Sequence, residues 1–241
     1  MDYLKAIDKR CSRRKYINKE IPEELVTKLK ASIENYNAES GLNMQLIIDD
    51  GKAFGGLNPT YGIFTGVENY IALIGKKGDN DRMEKEGYFG EKLVLEATDM
   101  GLSTCWIGTS YRRDKCTCAV ATDETLDLVI AIGYSEEKKS FKENMMDNMM
   151  HKNSKRFDDI VICRETPPAW FKSGMDSVIK APTARNLMPF VFTYEDGKVM
   201  ISTKGDAERV MVDIGIAKLH FELGAECGKW PLGDHVYFEK L

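Results

Sequence analysis

Three short segments carry residues whose types and spacing could bind a cofactor. The first, residues 10–16, reads Arg-Cys-Ser-Arg-Arg-Lys-Tyr, and we call it the arginine arm. In an extended chain alternate side chains share a side, so Arg10, Ser12 and Arg14 would lie together at steps of about 7 Å. Two guanidinium groups that flank a hydroxyl can neutralise and bind a phosphate dianion. The spacing alone fits a phosphate site and a solvated basic patch equally well.

The second segment, residues 181–190, reads Ala-Pro-Thr-Ala-Arg-Asn-Leu-Met-Pro-Phe, and we call it the partner loop. Its prolines and small residues, Ala184 among them, make a tight and rigid loop, while Thr183 and Asn186 offer short polar groups. Such a loop can approach a flat heterocycle closely. From the residues alone, a simple turn from helix to strand is the commoner interpretation.

The third segment, residues 101–108, reads Gly-Leu-Ser-Thr-Cys-Trp-Ile-Gly, and we call it the tryptophan segment. The glycines at both ends allow the backbone to approach a ligand, and the apolar middle can exclude water. A strand that places Trp106 in the core explains the same residues, and both interpretations can hold together.

Composition limits the classes of function. A net charge of -4 and a pI near 5.6 argue against a nucleic-acid partner, and the sequence has no apolar run near the ~20 residues that span a bilayer. The six scattered cysteines predict free thiols in a reducing cytoplasm. Cys105, Cys116 and Cys118 lack the spacing of a zinc site and have no nearby histidine, so no metal is predicted.

Periodicity predicts alternating helices and strands that would position these segments. The predicted helices cover residues 2–9, a stretch opening at 22, residues 88–100, a stretch opening near 166, and residues 206–223. The predicted strands cover residues 44–48, 70–74, 126–132, 190–193 and 199–201. Gly101 and Gly224 are predicted helix caps. The charged residues 76–87 predict a surface loop, and residues 134–155 an exposed connection between two halves.

The order of elements repeats along the chain, which favours an internal duplication over chance similarity. In both halves an acidic residue and a proline precede a helix, a loop and an apolar strand, with Pro22 lying 145 positions before Pro167. A later helix repeats at a shift of 123, which pairs Phe89, Leu93, Met100 and Gly101 with Val212, Ile216, Leu223 and Gly224. The predicted halves are residues 1–150 and 151–241.

Together the three segments resemble the FMN-dependent nitroreductase family. Its members typically carry Arg-x-Ser-x-Arg-x-Phe/Tyr, which is similar to residues 10–16, and Pro-Ser-x-x-Asn-x-Gln-Pro-Trp, which is similar to residues 182–190. They also carry Gly-Leu-Gly-Thr-x-Trp-Ile-Gly, which is similar to residues 101–108. Met188 stands where the family usually has Gln. The resemblance implies an α+β fold with a mixed sheet wrapped by helices, here in two pseudo-symmetric halves.

The resemblance also implies the chemistry. FMN would take a hydride at N5 from NADH or NADPH and pass it to a small organic acceptor, such as a nitroaromatic or a quinone, in ping-pong order without a catalytic side chain. None of the three histidines is expected to take part. The residues implied to bind FMN are Arg10, Ser12, Arg14, Trp106, Ile107, Gly108, Lys155, Arg156, Thr183, Ala184 and Asn186.

The position of the partner loop departs from the family pattern. It normally follows soon after the arginine motif, whereas here it occurs only in the second half. This displacement predicts a fused pseudo-dimer that has one flavin site and acts as a monomer, with an empty second site where Lys155 and Arg156 replace the arm. Two alternatives remain: a flavin-binding carrier or sensor without turnover, and a non-flavin structural or metal protein.

Overall fold

Two four-stranded sheets, one in each half of the chain, form the framework of the fold. The structure is a computed structural model that describes residues 1–55, 64–151, 155–205 and 207–241. The helices are α1 (Tyr3–Lys9), α2 (Glu23–Ser40), α3 (Arg82–Asp99), α4 (Phe141–His151), α5 (Phe157–Ile160), α6 (Ala169–Val178) and α7 (Ala207–Ala225). The strands are β1 (Gln45–Ile47), β2 (Asn69–Lys76), β3 (Ser103–Ile107), β4 (Glu124–Gly133), β5 (Val161–Cys163), β6 (Phe190–Glu195), β7 (Lys198–Thr203), β8 (Gly228–Lys229), β9 (Val236–Tyr237) and β10 (Glu239–Lys240).

The two sheets differ in strand order. The first has the order β1-β2-β4-β3 with antiparallel pairs throughout. The second has the order β5-β6-β7-β9, in which β5 pairs with β6 in parallel and the other pairs are antiparallel. In each half a helix precedes the first two antiparallel strands and a long helix follows them, so α2-β1-β2-α3 corresponds to α6-β6-β7-α7. The predicted α+β class is confirmed, and the sheet of the second half is mixed.

The long helices α3 and α7 join the halves at a close crossing. A Cβ atom added at Gly87 would lie 2.1 Å from the carbonyl oxygen of Val212, and one added at Gly215 would lie 2.0 Å from that of Glu84. Gly215 lies 128 positions after Gly87, and Val212 lies 128 positions after Glu84, so the contact is reciprocal. The sequence predicts a shift of 123 positions between these two helices, whereas the glycine contact has a shift of 128 positions.

The start of α3 corrects the prediction of a surface loop over residues 76–87. The helix begins at Arg82, and Glu84 and Glu86 are fully buried within it. Glu84 forms an ion pair with the buried Lys218 of α7, 134 residues away. Charge normally indicates exposure, but here a cation from the other half compensates the buried carboxylate. Gly101 follows the helix with φ of 81°, as its predicted capping role requires.

Two further predictions are wrong. Residues 134–155 include α4, on which Glu143 is only 2% exposed, so this stretch is not simply an exposed connection. Gly224 lies inside α7 and does not cap it, and a Cβ there would lie 2.4 Å from the carbonyl oxygen of Ser173 on α6.

The predicted hairpin is confirmed, with β6 and β7 joined at Asp196 and Gly197. No helix of the described residues is long and apolar enough to cross a membrane.

Candidate functional site

The arginine arm runs alongside the tryptophan segment. Ser12 forms a parallel bridge with Thr104, and the backbone N–H of Arg13 donates to the Thr104 carbonyl at 3.0 Å. Lys15 forms a second parallel bridge, with Thr65. The arm is therefore extended, as predicted, and it lies against β3, which is an edge strand of the first sheet.

Alternate residues of the arm influence the buried thiol of Cys105. Burial raises the pKa of the Cys105 thiol, whereas Arg14, a hydrogen bond with Ser12 and then Arg10 lower it. All three residues therefore act electrostatically on the same thiol. Arg13 between them is buried, and its Nη1 donates to the carbonyl oxygen of Glu136 at 2.7 Å.

Arg10 connects the arm to the base of the partner loop. Its Nη2 donates to the carbonyl oxygen of Lys180 at 3.1 Å across 170 residues of sequence. Its Nε lies 3.8 Å from a carboxylate oxygen of Glu91, and within the described residues this buried nitrogen has no hydrogen-bond partner. A buried N–H without an acceptor is costly and leaves capacity for a bound acceptor.

Trp106 approaches the same loop from β3. The indole packs against a cluster that contains Ala181, the first residue of the partner loop. Its Nε1 donates to Glu91 at 2.8 Å, and its ring fills the space beside Gly90, where a Cβ would lie 2.5 Å from the ring. Ile107 is buried and Gly108 is exposed just after the strand ends. The arm, the tryptophan segment and the partner loop thus meet at one place.

The partner loop has an unusual backbone. Arg185, Asn186 and Met188 have φ values of 53°, 58° and 42°, in the left-handed region that non-glycine residues seldom adopt. Residues in sparsely populated backbone regions cost about 1–3 kcal/mol each and often occur at binding sites. Such a conformation persists only where surrounding contacts impose it.

Side chains of Thr183 and Asp213 accept hydrogen bonds from the backbone of this loop. The backbone N–H of Met188 donates to Thr183 Oγ1 at 3.2 Å, and that of Ala184 donates to Asp213 Oδ1 at 3.0 Å. Burial raises the pKa of Asp213 to about 7, and the Ala184 hydrogen bond opposes the shift only partly. The carboxyl group of Asp213 on α7 thus supports the loop through this hydrogen bond.

Helix α4 places two carboxylates on the arginine arm. Glu143 Oε1 accepts hydrogen bonds from the backbone N–H of Arg14 at 2.9 Å, from that of Lys15 at 3.3 Å and from Arg13 Nε at 3.2 Å. Asp147 Oδ1 accepts from Arg14 Nη1 at 3.0 Å. Burial alone would raise the pKa of Glu143, but these hydrogen bonds and those from Ser140 outweigh it and lower its pKa to about 2.

The hydrogen bonds that the arm donates to these carboxylates show that it can bind an anionic group. Carboxylate and phosphate oxygens accept hydrogen bonds of the same kind from guanidinium and backbone N–H groups. The arm already binds Glu143 and Asp147 in this way, and Arg10 Nε has no acceptor among the described residues. The residues present therefore fit a phosphate, which would have to compete with Asp147 for Arg14.

The two remaining predicted residues follow α4 in the chain. Lys155 donates from Nζ to the carbonyl oxygen of Met188 at 3.0 Å, which places it against the partner loop. Burial and the charge of Lys204 lower the pKa of Lys155. Arg156 is exposed at the start of α5, where its backbone N–H donates to Asp159 at 2.8 Å.

Several residues at this place were not predicted from the sequence. Each is a charged or titratable residue on a helix, and its neighbours in sequence indicate neither its burial nor its partner. They are Glu91, Glu143, Asp147, Asp213 and His220. In the part of the chain that the structure describes, no group of three or more His, Cys, Asp or Glu residues could hold a metal ion, and the six cysteines are free thiols.

Comparison with known proteins finds one family and several similar structures. The family described as "Putative TM nitroreductase" matches residues 2–225. A putative nitroreductase from Thermotoga maritima MSB8 is similar at 20% identity with a TM-score of 0.64, covering 99% of this chain and 92% of that one. An FMN-dependent nitroreductase from Clostridium difficile R20291 is similar at 22% identity with a TM-score of 0.45, covering 60% and 94%. No curated protein matches. The Thermotoga structure shares this fold over nearly the whole of both chains.

Proposed function

The chain belongs to the family described as "Putative TM nitroreductase", and on that basis we propose that it is an FMN-dependent NAD(P)H oxidoreductase. One observation carries the proposal: the arginine arm, the tryptophan segment and the partner loop meet at one place although they are far apart in sequence. Arg10 shows this most directly through its contacts with Glu91 and with the carbonyl of Lys180.

Each segment would hold one part of the cofactor. Arg10, Ser12 and Arg14 would bind the phosphate, because they alternate along an extended arm and two of them are cationic. The backbone at the end of β3, at Ile107 and Gly108, would lie along one side of the ring system together with Trp106. The partner loop would approach it from the other half through Thr183, Ala184 and Asn186, and Lys155 and Arg156 would add positive charge.

The bound flavin would supply hydride transfer from NADH or NADPH to a small organic acceptor, such as a nitroaromatic or a quinone, in ping-pong order. The chain's own residues bind the phosphate, orient the ring system and exclude water. The buried apolar Ile107 and the packed indole of Trp106 serve this last purpose.

We further propose that one chain contains a complete site. The halves, residues 1–150 and 151–241, each contain a helix, two antiparallel strands and a long helix in the same order, and α3 and α7 meet in a reciprocal contact. The arm belongs to the first half and the partner loop to the second, so a monomer needs no second copy. We expect it to act on small molecules in a reducing cytoplasm, to which its six free thiols are suited.

An absorption spectrum and a flavin count test the function. The purified chain should bind one FMN, and NADH or NADPH should bleach its colour until a nitroaromatic or a quinone restores it. Two FMN per chain would overturn the single site, and absence of binding would overturn the function itself. A bound flavin that neither nucleotide reduces would instead identify a carrier or sensor.

A double variant tests the residue assignment. Replacing both Arg10 and Arg14 by Ala should weaken FMN binding about a hundredfold or more, because each charge-assisted hydrogen bond contributes roughly 1.5–3 kcal/mol. The matched control replaces Lys28 and Lys30, two exposed cations of α2, and should keep its flavin. Equal flavin content in the two double variants would show that the arm does not bind the phosphate.

A further inference from the structure

A fully buried carboxylate on α3 contacts two of the three site segments. Glu91 Oε2 accepts a hydrogen bond from Trp106 Nε1 at 2.8 Å. Its other oxygen, Oε1, lies 3.8 Å from Arg10 Nε and 3.0 Å from His220 Nε2. One side chain therefore holds the indole of the tryptophan segment and the first guanidinium of the arginine arm at a fixed separation.

His220 fixes Glu91 from the other half of the chain. The imidazole lies on α7, is fully buried, and places Nδ1 3.0 Å from the carbonyl oxygen of Ser177. A carbonyl oxygen only accepts, so Nδ1 carries a hydrogen and Nε2 shares a proton with Glu91. With both nitrogens engaged, the ring has one orientation.

The same contacts reach the partner loop. Ser177 is in the last turn of α6, and Lys180, whose carbonyl accepts from Arg10, follows it by three residues. His220 and Arg10 thus bind nearby carbonyls of the segment that leads into the loop. Movement of Glu91 or His220 would disturb the arm, the indole and the loop together.

We propose that Glu91 and His220 form a positioning pair that holds Arg10 and Trp106 in register with the partner loop and so determines how well the site binds the phosphate end of its cofactor. The inference rests on the proposed function. Neither residue is assigned a contact with the cofactor; both act through Arg10 and Trp106.

A second buried pair on the same two helices provides a matched control. Glu84 of α3 pairs with Lys218 of α7, and Lys218 also donates to the carbonyls of Pro231 and Gly233 at 2.8 Å each. Like Glu91 and His220, this pair is buried and links α3 to α7. The described hydrogen bonds of this pair involve none of the three site segments. Breaking the pair therefore shows the purely structural effect of losing a buried link between α3 and α7.

The first test compares FMN with riboflavin, which lacks the phosphate. In Glu91→Gln, the amide oxygen can still accept the hydrogen bond from Trp106. The amide NH₂ group then faces Arg10, and these two donors repel each other. We expect the ratio of the riboflavin Kd to the FMN Kd to fall about tenfold or more, in line with the loss of one charge-assisted contact. His220→Gln should lower the ratio in the same direction. Glu84→Gln should change both affinities alike and keep the ratio within about twofold.

An unchanged or increased ratio in Glu91→Gln would overturn the inference, and so would an equal fall in Glu84→Gln. Thermal unfolding of each variant shows whether it is folded. If Glu91→Gln does not fold, the ratio in His220→Gln decides.

The second test needs no flavin. The chain has three tryptophans, so Trp170→Phe with Trp230→Phe leaves Trp106 as the sole tryptophan emitter. In that background Glu91→Gln should shift Trp106 emission and increase its quenching by acrylamide, whereas Glu84→Gln should not. Identical emission in the two variants would overturn the pair even if the wild-type chain bound no flavin, and absence of binding alone would overturn only the proposed function.

Discussion

Replacing Asp147 by Asn should tighten FMN binding, because the Asp147 carboxylate and a flavin phosphate compete for Arg14. Arg14 Nη1 and Asp147 Oδ1 are 3.0 Å apart, and their side chains are only 12% and 17% exposed. Lys139 also contacts this carboxylate. In the described structure Arg14 is therefore already paired, and any anion that binds it shares the guanidinium with Asp147 or displaces it.

The magnitude follows from the kind of hydrogen bond that is lost. A hydrogen bond to a charged group contributes roughly 1.5–3 kcal/mol, and a neutral one about 0.5–1.5 kcal/mol. The amide introduced by Asp147→Asn keeps a contact with Arg14 but removes the negative charge, so competition should fall by about 1 kcal/mol. Since about 1.4 kcal/mol is tenfold in affinity, the FMN Kd should decrease roughly fivefold.

Flavin fluorescence titration measures this effect, with riboflavin as an internal control. Riboflavin has no phosphate, so its Kd should stay the same in Asp147→Asn. Glu24→Gln changes the net charge equally but lies in an exposed pair with Lys28 on α2, so it reports long-range electrostatics. Weaker FMN binding in Asp147→Asn would refute the competition, and so would an equal gain for riboflavin.

Two further predictions concern the supports of the site. Burial raises the pKa of Asp213 from 3.8 to about 7, so the folded state loses stability as pH rises between these values. Asp213→Asn should therefore gain stability over the wild type as pH rises from about 4 to about 8 in thermal unfolding, and a constant difference would contradict it. Gly215→Ala would bring a Cβ to 2.0 Å from the Glu84 carbonyl and should lower the Tm by several degrees, since overpacking costs about 1–3 kcal/mol. Gly78→Ala, with nothing within 4 Å, is its control, and equal melting of the two variants would contradict the tight crossing.

Local signals predicted much of the fold. Pro22 precedes α2, which begins at Glu23, because proline is tolerated where the first N–H groups have no helical partner. Asp196 and Gly197 adopt the positive φ values that a tight hairpin turn requires. The extended conformation of the arm followed from residues 10–16, and the bridge to β3 confirms it.

Helix α4 shows why the rest could not be predicted. Met145 and Met149 are 54% and 60% exposed, whereas Glu143 is 2% exposed, which reverses the usual amphipathic pattern. Glu143 is buried because Arg13 and the backbone of the arm, about 130 residues earlier, provide its donors. No local pattern contains that information. Glu91 and His220 are similar, since each has a partner in the other half of the chain.

The crossing of Gly87 and Gly215 bears on how the two halves can evolve. In a symmetric dimer of identical chains one codon would provide both glycines, and a single substitution would damage the crossing twice. In this chain the two codons mutate separately, yet each glycine faces a backbone carbonyl that leaves no room for a side chain. Selection should therefore hold both positions fixed. In the predicted duplication, other paired positions would be free to drift apart, so that one half could keep an arginine arm and the other a partner loop.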